Sequence, residues 1–474
     1  MGFTTAVVAA FRGDDLDLTS GPIAGPLAAL ALPVVVMNVV QTVYTLVDTF
    51  WLGQYSTSAL AAITLAFPLA FLLLSISVGL PVAGSIHVAQ AIGADEDRRA
   101  ATAAAQTISY SLAGAAVVGV AGFVLIDDVL LLFDVSESVR RQATTYLRLL
   151  SLGLPATVGF VAFIALLRGA GDTLTPLPVM IGSITLNATL DPFLIHGWWL
   201  APELGIRGAA YATLLARGLA ALVGLALVVG SWRGFDIDAH QWRPRREWAG
   251  RLARTGLPTS VEQVGRGLSL NAVLVVVGTF STAVVAGYGI GIRLFAMVIL
   301  GAGGLANAVE TATGQNVGAG RLDRAARANY LAAGIAFAVL SLVGIACWLV
   351  PRPIVAVFTD DPATIDVATT FLRWVGPSFG FIGVTWTLVG GIRGTGKTVV
   401  AMAVVLTTLG IVRLPLAWLG AQRVGPSGIW LAIAISNVVG AALAVGWLRS
   451  DRWRATAGVG KQDGDVGTAA AGDD

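Results

Sequence analysis

The chain has 474 residues, of which 56% are hydrophobic and only 12% are Asp, Glu, Lys or Arg; an ordinary soluble domain is about 25% charged. With a mean hydropathy of +0.78 and a net charge of +2, it lacks the solvating groups of a soluble enzyme or a disordered chain. It also lacks the basic excess of a nucleic-acid binder.

A spanning helix needs about 20 apolar residues. Apolar runs punctuated by Gly, Pro and charge predict twelve of them, over residues 25–52, 58–91, 100–125, 139–166, 176–196, 206–231, 251–280, 283–315, 325–350, 364–391, 398–419 and 428–449. The runs are too long and uniform for membrane β-strands, so the fold class is an all-α membrane protein. Residues 1–24 read as a cytoplasmic N-terminal segment without a signal-peptide pattern, 232–250 as a cytoplasmic linker, and 450–474 as a disordered tail rich in Gly, Ala and Asp. Arg98, Arg99, Arg168, Arg243, Arg245, Arg246, Arg321, Arg324, Arg393 and Lys397 fall on one side, against Arg140, Arg141, Arg207, Arg352 and Arg423 on the other. The positive-inside rule then places both termini in the cytoplasm of a cell-membrane protein.

Internal repetition is the strongest organisational signal. Arg168-Gly-Ala-Gly-Asp-Thr matches Arg393-Gly-Thr-Gly-Lys-Thr, Gln90-Ala-Ile-Gly-Ala matches Gln315-Asn-Val-Gly-Ala, and Leu32-Pro33 matches Leu257-Pro258. Each pair is 225 residues apart. The chain therefore reads as two pseudo-symmetric six-helix bundles, residues 25–231 and 251–449, around a central cavity. Six helices per half give both halves one orientation, and substrate sites of such repeats lie between them.

Gly391-Ile-Arg-Gly-Thr-Gly-Lys397-Thr398 fits the P-loop pattern, but membrane helices flank it and its repeat partner carries Asp172 in place of the lysine. It reads as a cytoplasmic hairpin with its arginines at the lipid headgroups. Asn187-Ala-Thr189 matches a glycosylation sequon inside a span. Cys347 reads as a buried apolar residue, and His87, His196 and His240 as surface or loop residues without metal-ligand spacing.

Ionisable groups inside spans are functional candidates. Gln41, Tyr44 and Asp48 share one helix face in the first span, and Asn187 and Asp191 share one in the fifth. Their repeat partners are apolar: Val273 for Asp48 and Leu416 for Asp191. Two nearby carboxyl groups can hold a proton, or with amide oxygens a Na⁺. Glu262 and Glu310 are acidic candidates in the second half, and the intramembrane arginines Arg217, Arg266, Arg293 and Arg413 are expected to pair with them or snorkel. Pro33 interrupts the first span as a kink or a hinge.

With Pro33, Gln41-x-x-Tyr44-x-x-x-Asp48, Arg168-Gly-Ala-Gly-Asp-Thr, Asn187-x-x-x-Asp191-Pro and the paired Gln-x-x-Gly-Ala turns, the chain resembles the multidrug and toxic compound extrusion (MATE) family, in particular its archaeal and DinF-like branch. The resemblance covers about residues 20–450. It implies that Asp48 and Asp191 bind the coupling H⁺ or Na⁺, with Asn187 and Thr213 as neighbouring ligands and Tyr44 and Gln41 at the cavity. It further implies a transporter rather than an enzyme, with no cofactor, a drug-like small-molecule substrate, a bilayer partner and a monomeric state. A lipid-linked oligosaccharide flippase of the same superfamily is the alternative; a channel fits less well.

Overall fold

The computed structural model describes residues 17–199, 201–230, 236–450 and 453–454. Residues 1–16 of the expected N-terminal segment and the tail from residue 455 lie outside the described residues. Among those described every regular element is helical. The first half comprises α1 (Ala24–Tyr55), α2 (Thr57–Ser77), α3 (Gly79–Gly93), α4 (Asp97–Leu130), α5 (Glu137–Leu152), α6 (Leu154–Gly169), α7 (Pro176–His196) and α8 (Ile206–Val229). The second comprises α9 (Arg246–Val277), α10 (Thr282–Gly318), α11 (Leu322–Leu349), α12 (Pro351–Ala356), α13 (Pro362–Val375), α14 (Phe379–Gly394), α15 (Thr398–Leu406), α16 (Leu414–Val424) and α17 (Pro426–Arg449).

Ten of the described helices are long and apolar enough to cross a membrane, eleven if the bent pair α5–α6 counts as one span. The remaining expected span, 251–280, is α9. It is 32 residues long, but Arg251, Arg254, Glu262 and Arg266 break its apolarity. α9 packs on α2, α3 and α15; Glu262 is buried and Arg266 partly so, whereas Arg251 and Arg254, near the start of the helix, are exposed.

Several spans are broken where hydropathy shows nothing. The second divides at Val78, the fourth bends by 53° at Gly153, the tenth carries a 3₁₀ turn at Gly376–Ser378, and the eleventh a π-helical stretch at Thr407–Arg413. Gly, Pro, Ser or Thr stands at each of these breaks, as such residues also do inside unbroken helices, so composition does not single them out. Pro33, by contrast, sits inside an unbroken α1.

Lipid replaces water as the outer solvent, and the residue distribution follows. On α4, Val117, Val120 and Val124 are exposed, while Ala100, Ala103, Ala104 and Gly119 are buried. Small residues let backbones approach, which is how membrane helices gain dispersion contacts without a hydrophobic driving force. Cys347 is buried in the core of the second half, as expected.

The two halves meet through a reciprocal seam. A Cβ on Gly93 would lie 1.9 Å from the Gln315 carbonyl oxygen, and a Cβ on Gly318 would lie 1.9 Å from that of Gln90. Gln90 Nε2 donates to the Gly394 carbonyl at 3.0 Å, and Gln315 Nε2 to its repeat equivalent, Gly169, at 3.2 Å. Beside them the hairpins turn on Gly171 (φ +93°) and Gly396 (φ +81°), equivalent positions in the left-handed region that glycine alone enters without strain. The segment Leu18–Gly21, which leads into α1, is held by the second half: Asn316 Nδ2 and Arg324 donate to its carbonyls. Among the described residues no hydrogen bond joins the halves near the opposite helix ends.

Residues 241–245 of the linker are held by the first half. Gln106 Nε2 on α4 donates to the carbonyls of Gln241 and Arg243, and its Oε1 accepts from the Arg245 N–H.

The seam depends on missing side chains. Gly93→Val drives a branched side chain into the Gln315 carbonyl and is expected to open this end. In an Ala89→Cys background, where residue 89 packs on Gly314, maleimide labelling should rise severalfold. Unchanged labelling would show that Gly93 does not hold the seam shut.

Candidate functional site

α1 presents Tyr44 and Asp48 one turn apart, α7 presents Asn187 and Asp191 one turn apart, and α8 supplies Thr213. The structure brings all five together and buries each of them. Tyr44 Oη and Thr213 Oγ1 share a hydrogen bond of 2.9 Å. With its amide oriented to satisfy both neighbours, Asn187 donates to Asp48 Oδ1 at 2.9 Å and accepts from the Thr213 N–H at 3.2 Å. Asp191 lies within hydrogen-bonding reach of Asp48.

Both carboxyl oxygens of Asp191 are sealed from solvent and have no partner among the described residues. Such orphaned oxygens carry a large desolvation cost. Two carboxyl groups contain no donor between them unless they share a proton or a cation. The set of oxygens, two carboxyls with an amide and a hydroxyl close by, is one that a proton or a hard monovalent cation satisfies. Among the described residues no three His, Cys, Asp or Glu side chains cluster as metal ligands.

Gln41 takes a different part from the one its helix face suggests. Its Oε1 accepts from Arg217 Nη2 at 2.7 Å, and the guanidinium lies over the rings of Tyr44 (5.1 Å) and Phe160 (5.5 Å). Arg217 thus flanks the acidic pair and does not pair with a second-half glutamate. Its position four residues after Thr213 was the available signal. On the outer side of the acids, Trp51, Tyr55 and Trp198 surround His196, with ring centroids 5.7 Å from Tyr55 and 5.8 Å from Trp51.

Glu262 and Glu310 do not join this site. Glu262 accepts from Arg266 Nη2 (2.9 Å) and Arg393 Nη1 (3.0 Å), while Glu310 accepts from Arg393 Nε (2.8 Å) and lies 3.8 Å from Arg168. Arg168 and Arg393 are therefore not at the headgroups, as the hairpin reading has them. Their side chains turn inward and are 12% exposed. Buried carboxylates demand counter-charges, and the ends of α6 and α14 are near enough to provide them. The bridge from Arg168 to Glu310 crosses between the halves. It also disposes of the phosphate-loop pattern, because Arg393 is committed and a Cβ on Gly391 or Gly394 would collide with Asn329 or the Glu310 carbonyl.

Two further expectations are corrected. His87 is no loop residue: it lies inside α3, 3.3 Å from Thr255 Oγ1 and edge-on to Trp248, across the seam. Arg413 pairs with no glutamate; it is buried against Ser436 and Asn437. Arg293 is exposed, which fits snorkelling. Asn187, the sequon residue, is fully buried.

Comparison with known proteins follows the same division. The sequence profile of the MatE family matches residues 33–193 and again 258–419, two segments whose starts differ by 258 − 33 = 225. "Probable multidrug resistance protein YpnP" of Bacillus subtilis is 27% identical over 93% of this chain and 98% of its own length. "Probable multidrug resistance protein NorM" of Thermotoga maritima is 28% identical, over 90% and 92%. An "FAD transporter" of Shewanella oneidensis is 26% identical, over 89% and 93%. A solved MATE structure, in complex with MaD5, superposes with a TM-score of 0.84 at 25% identity, covering 93% of this chain and 98% of that one.

Removing one partner of a buried ion pair costs about 3–5 kcal/mol, because the other charge stays behind. Glu262→Gln leaves Arg266 and half of Arg393 uncompensated. The solubilised variant is expected to melt well below the parent; an unchanged melting temperature would show that Arg266 and Arg393 do not depend on Glu262.

Proposed function

The chain belongs to the MATE family of multidrug efflux transporters, and on that premise we propose that it is a cation-coupled antiporter exporting organic-cation or amphipathic drugs by alternating access. The observation that carries this reading is the sealed, unpartnered carboxyl of Asp191 beside Asp48. A site of this kind is incomplete until it takes up H⁺ or Na⁺, and the oxygens of Asp48, Asp191, Asn187 and Thr213 are the ones that would hold it. No cofactor is required.

Asp48 lies in α1 and Asp191 in α7, one to two turns from the helix ends that no interlobe hydrogen bond closes. Cation arriving from that side neutralises the pair and removes its attraction for a positively charged drug. The local charge change also acts on α1, where Pro33 leaves one backbone carbonyl without its usual donor and serves as the hinge. Drug leaves outward. Rocking of the halves then breaks the Gln90–Gly394 and Gln315–Gly169 bonds and the Arg168–Glu310 bridge, and the cation is released inside. A ligand moves such an equilibrium only by its differential affinity for the two states, and an acid pair that must be neutral in one of them supplies that difference.

The arginine-rich end that carries this closed seam is assigned to the cytoplasm, with both termini on that side, in a monomer embedded in the plasma membrane. Relatives named for multidrug resistance support a drug-like cargo, and the relative named as an FAD transporter supports a cavity tolerant of larger amphiphiles.

Asp48→Asn and Asp191→Asn are each expected to abolish gradient-driven dye efflux from proteoliposomes while the protein stays folded. Imposing a pH gradient alone and a Na⁺ gradient alone identifies the coupling ion. Full efflux in either variant would overturn the assignment.

A further inference from the structure

Two neighbouring depressions lie where the first half meets α9, and the transport reading uses neither. One is a polar cavity of about 850 Å³ at the seam end. Its walls come from the turn Asp95–Asp97 and the start of α4, from His240 and Arg245 of the linker, and from Trp248 and Arg251. The other is an apolar groove of about 410 Å³. α4 lines it through Tyr110, Gly114 and Val117, and α9 through Ala249, Ala253 and Leu257. The two adjoin at Arg245, which lines the cavity and whose carbonyl accepts from Tyr110 Oη, in the groove, at 3.0 Å.

The cavity holds charges that the protein does not answer. Glu96 is taken by Arg99 at 2.7 Å, Arg251 by Glu247 at 3.3 Å and His240 by Asp238 at 3.5 Å. Among the described residues the side chains of Arg98, Arg245, Asp95 and Asp97 have no ion pair or hydrogen bond, and all four residues are exposed. The repeat-related corner of the second half is different. There Arg321 and Arg324, 225 residues after Glu96 and Arg99, donate to the carbonyls of Leu18–Gly21. Asp323, the equivalent of Arg98, lies 3.2 Å from Arg454. The lead-in to α1 thus occupies in one half the place that stays open beside α9 in the other.

The groove suits hydrocarbon. Val117 and Leu257 are exposed, so it is open to the bilayer. Along α9 it runs from Ala249 to Ser260, about 16 Å at roughly 1.5 Å per residue. Half of the hydrocarbon core is about 15 Å, so the groove has the length of one acyl chain in one leaflet. Tyr110 and Trp248 are of the type that settles at headgroup level. Basic pockets between spans hold lipid phosphates, to which guanidinium forks are matched. Here carboxylates stand beside the guanidinia without pairing with them, which leaves room for a ligand carrying both charges.

We propose that these depressions together bind one phospholipid whose headgroup carries a phosphodiester and a primary ammonium. The phosphodiester meets Arg98 and Arg245, the ammonium meets Asp95 and Asp97, and one acyl chain lies in the groove. α4 belongs to the first half and α9 to the second, so the bound lipid ties the halves together at the seam end. Binding does not rest on the antiport reading, which supplies only the assignment of this end to the inner leaflet.

The test is native mass spectrometry of the purified full chain, titrated with dioleoyl lipids that differ only in headgroup. The first bound lipid should be held roughly fivefold more tightly when it is phosphatidylethanolamine than when it is phosphatidylglycerol, which lacks the ammonium. Phosphatidylcholine, whose quaternary ammonium has no N–H to donate, should also bind more weakly. Arg98→Gln combined with Arg245→Gln should weaken phosphatidylethanolamine about tenfold. Asp95→Asn combined with Asp97→Asn should erase the preference over phosphatidylglycerol. Ala253→Phe fills the groove without touching the charges and should weaken the intact lipid severalfold. Both kinds of variant alter the surface, and a melting temperature equal to the parent's checks the fold. Equal affinity for phosphatidylethanolamine and phosphatidylglycerol in the parent would overturn the proposal, as would unchanged affinity in the folded arginine variant or in Ala253→Phe. Glycerophosphoethanolamine competing as well as the intact lipid would make this a site for a free phosphate ester, and displacement of the lipid by ethidium would make the groove a drug path; either result overturns the lipid assignment.

Discussion

A charge inside a lipid-facing bundle has to be answered by the protein, because no water is at hand to answer it. This constraint organises the interior. Glu262 and Glu310 in the second half are answered by three arginines, Arg168 from α6 of the first half and Arg266 and Arg393 from α9 and α14. The first half leaves Asp191 unanswered while holding Asp48 through Asn187. The contrast sets a compensated cluster, which stabilises one arrangement, against an uncompensated carboxyl, the proposed place of cation uptake. Arg217, clamped by Gln41 and stacked on Tyr44, sits beside that carboxyl pair without neutralising it.

The same constraint ties the charge clusters to the seam. Glu310 lies on α10 five residues before Gln315, and Arg168 lies next to Gly169, whose carbonyl Gln315 engages. Ion pair, amide bond and glycine contact therefore occupy one short stretch of each half. Motion that parts the halves here has to disturb all three at once, which favours two discrete arrangements over a continuum.

Much of this was legible in the residues. Hydropathy located the spans because lipid imposes it along each whole helix. The repeat was legible because the turns need particular residues, namely a glutamine to donate and glycines where backbones touch. The acidic site was legible from helical spacing: Tyr44 and Asp48, and Asn187 and Asp191, each stand four residues apart. The breaks at Val78 and Gly153 were not, since the Gly and Pro residues beside them also occur inside unbroken helices, as Pro33 does in α1. Arg168 and Arg393 were misplaced because their position near a span end does not reveal which way a long side chain points. His87 and Arg413 were likewise beyond reach, as their neighbours come from helices remote in sequence.

The seam has a further property. Gln90 faces Gly318 as Gln315 faces Gly93, and the two glutamine amides engage equivalent glycines. This is an isologous interface, the kind two identical subunits form about a two-fold axis. Because both halves point the same way through the membrane, a six-helix protein bearing one Gln-x-x-Gly turn could close upon its own duplicate. The polypeptide is in that sense a tethered homodimer, whose joining lets the two halves differ: Asp48 and Asp191 stand in one where Val273 and Leu416 stand in the other.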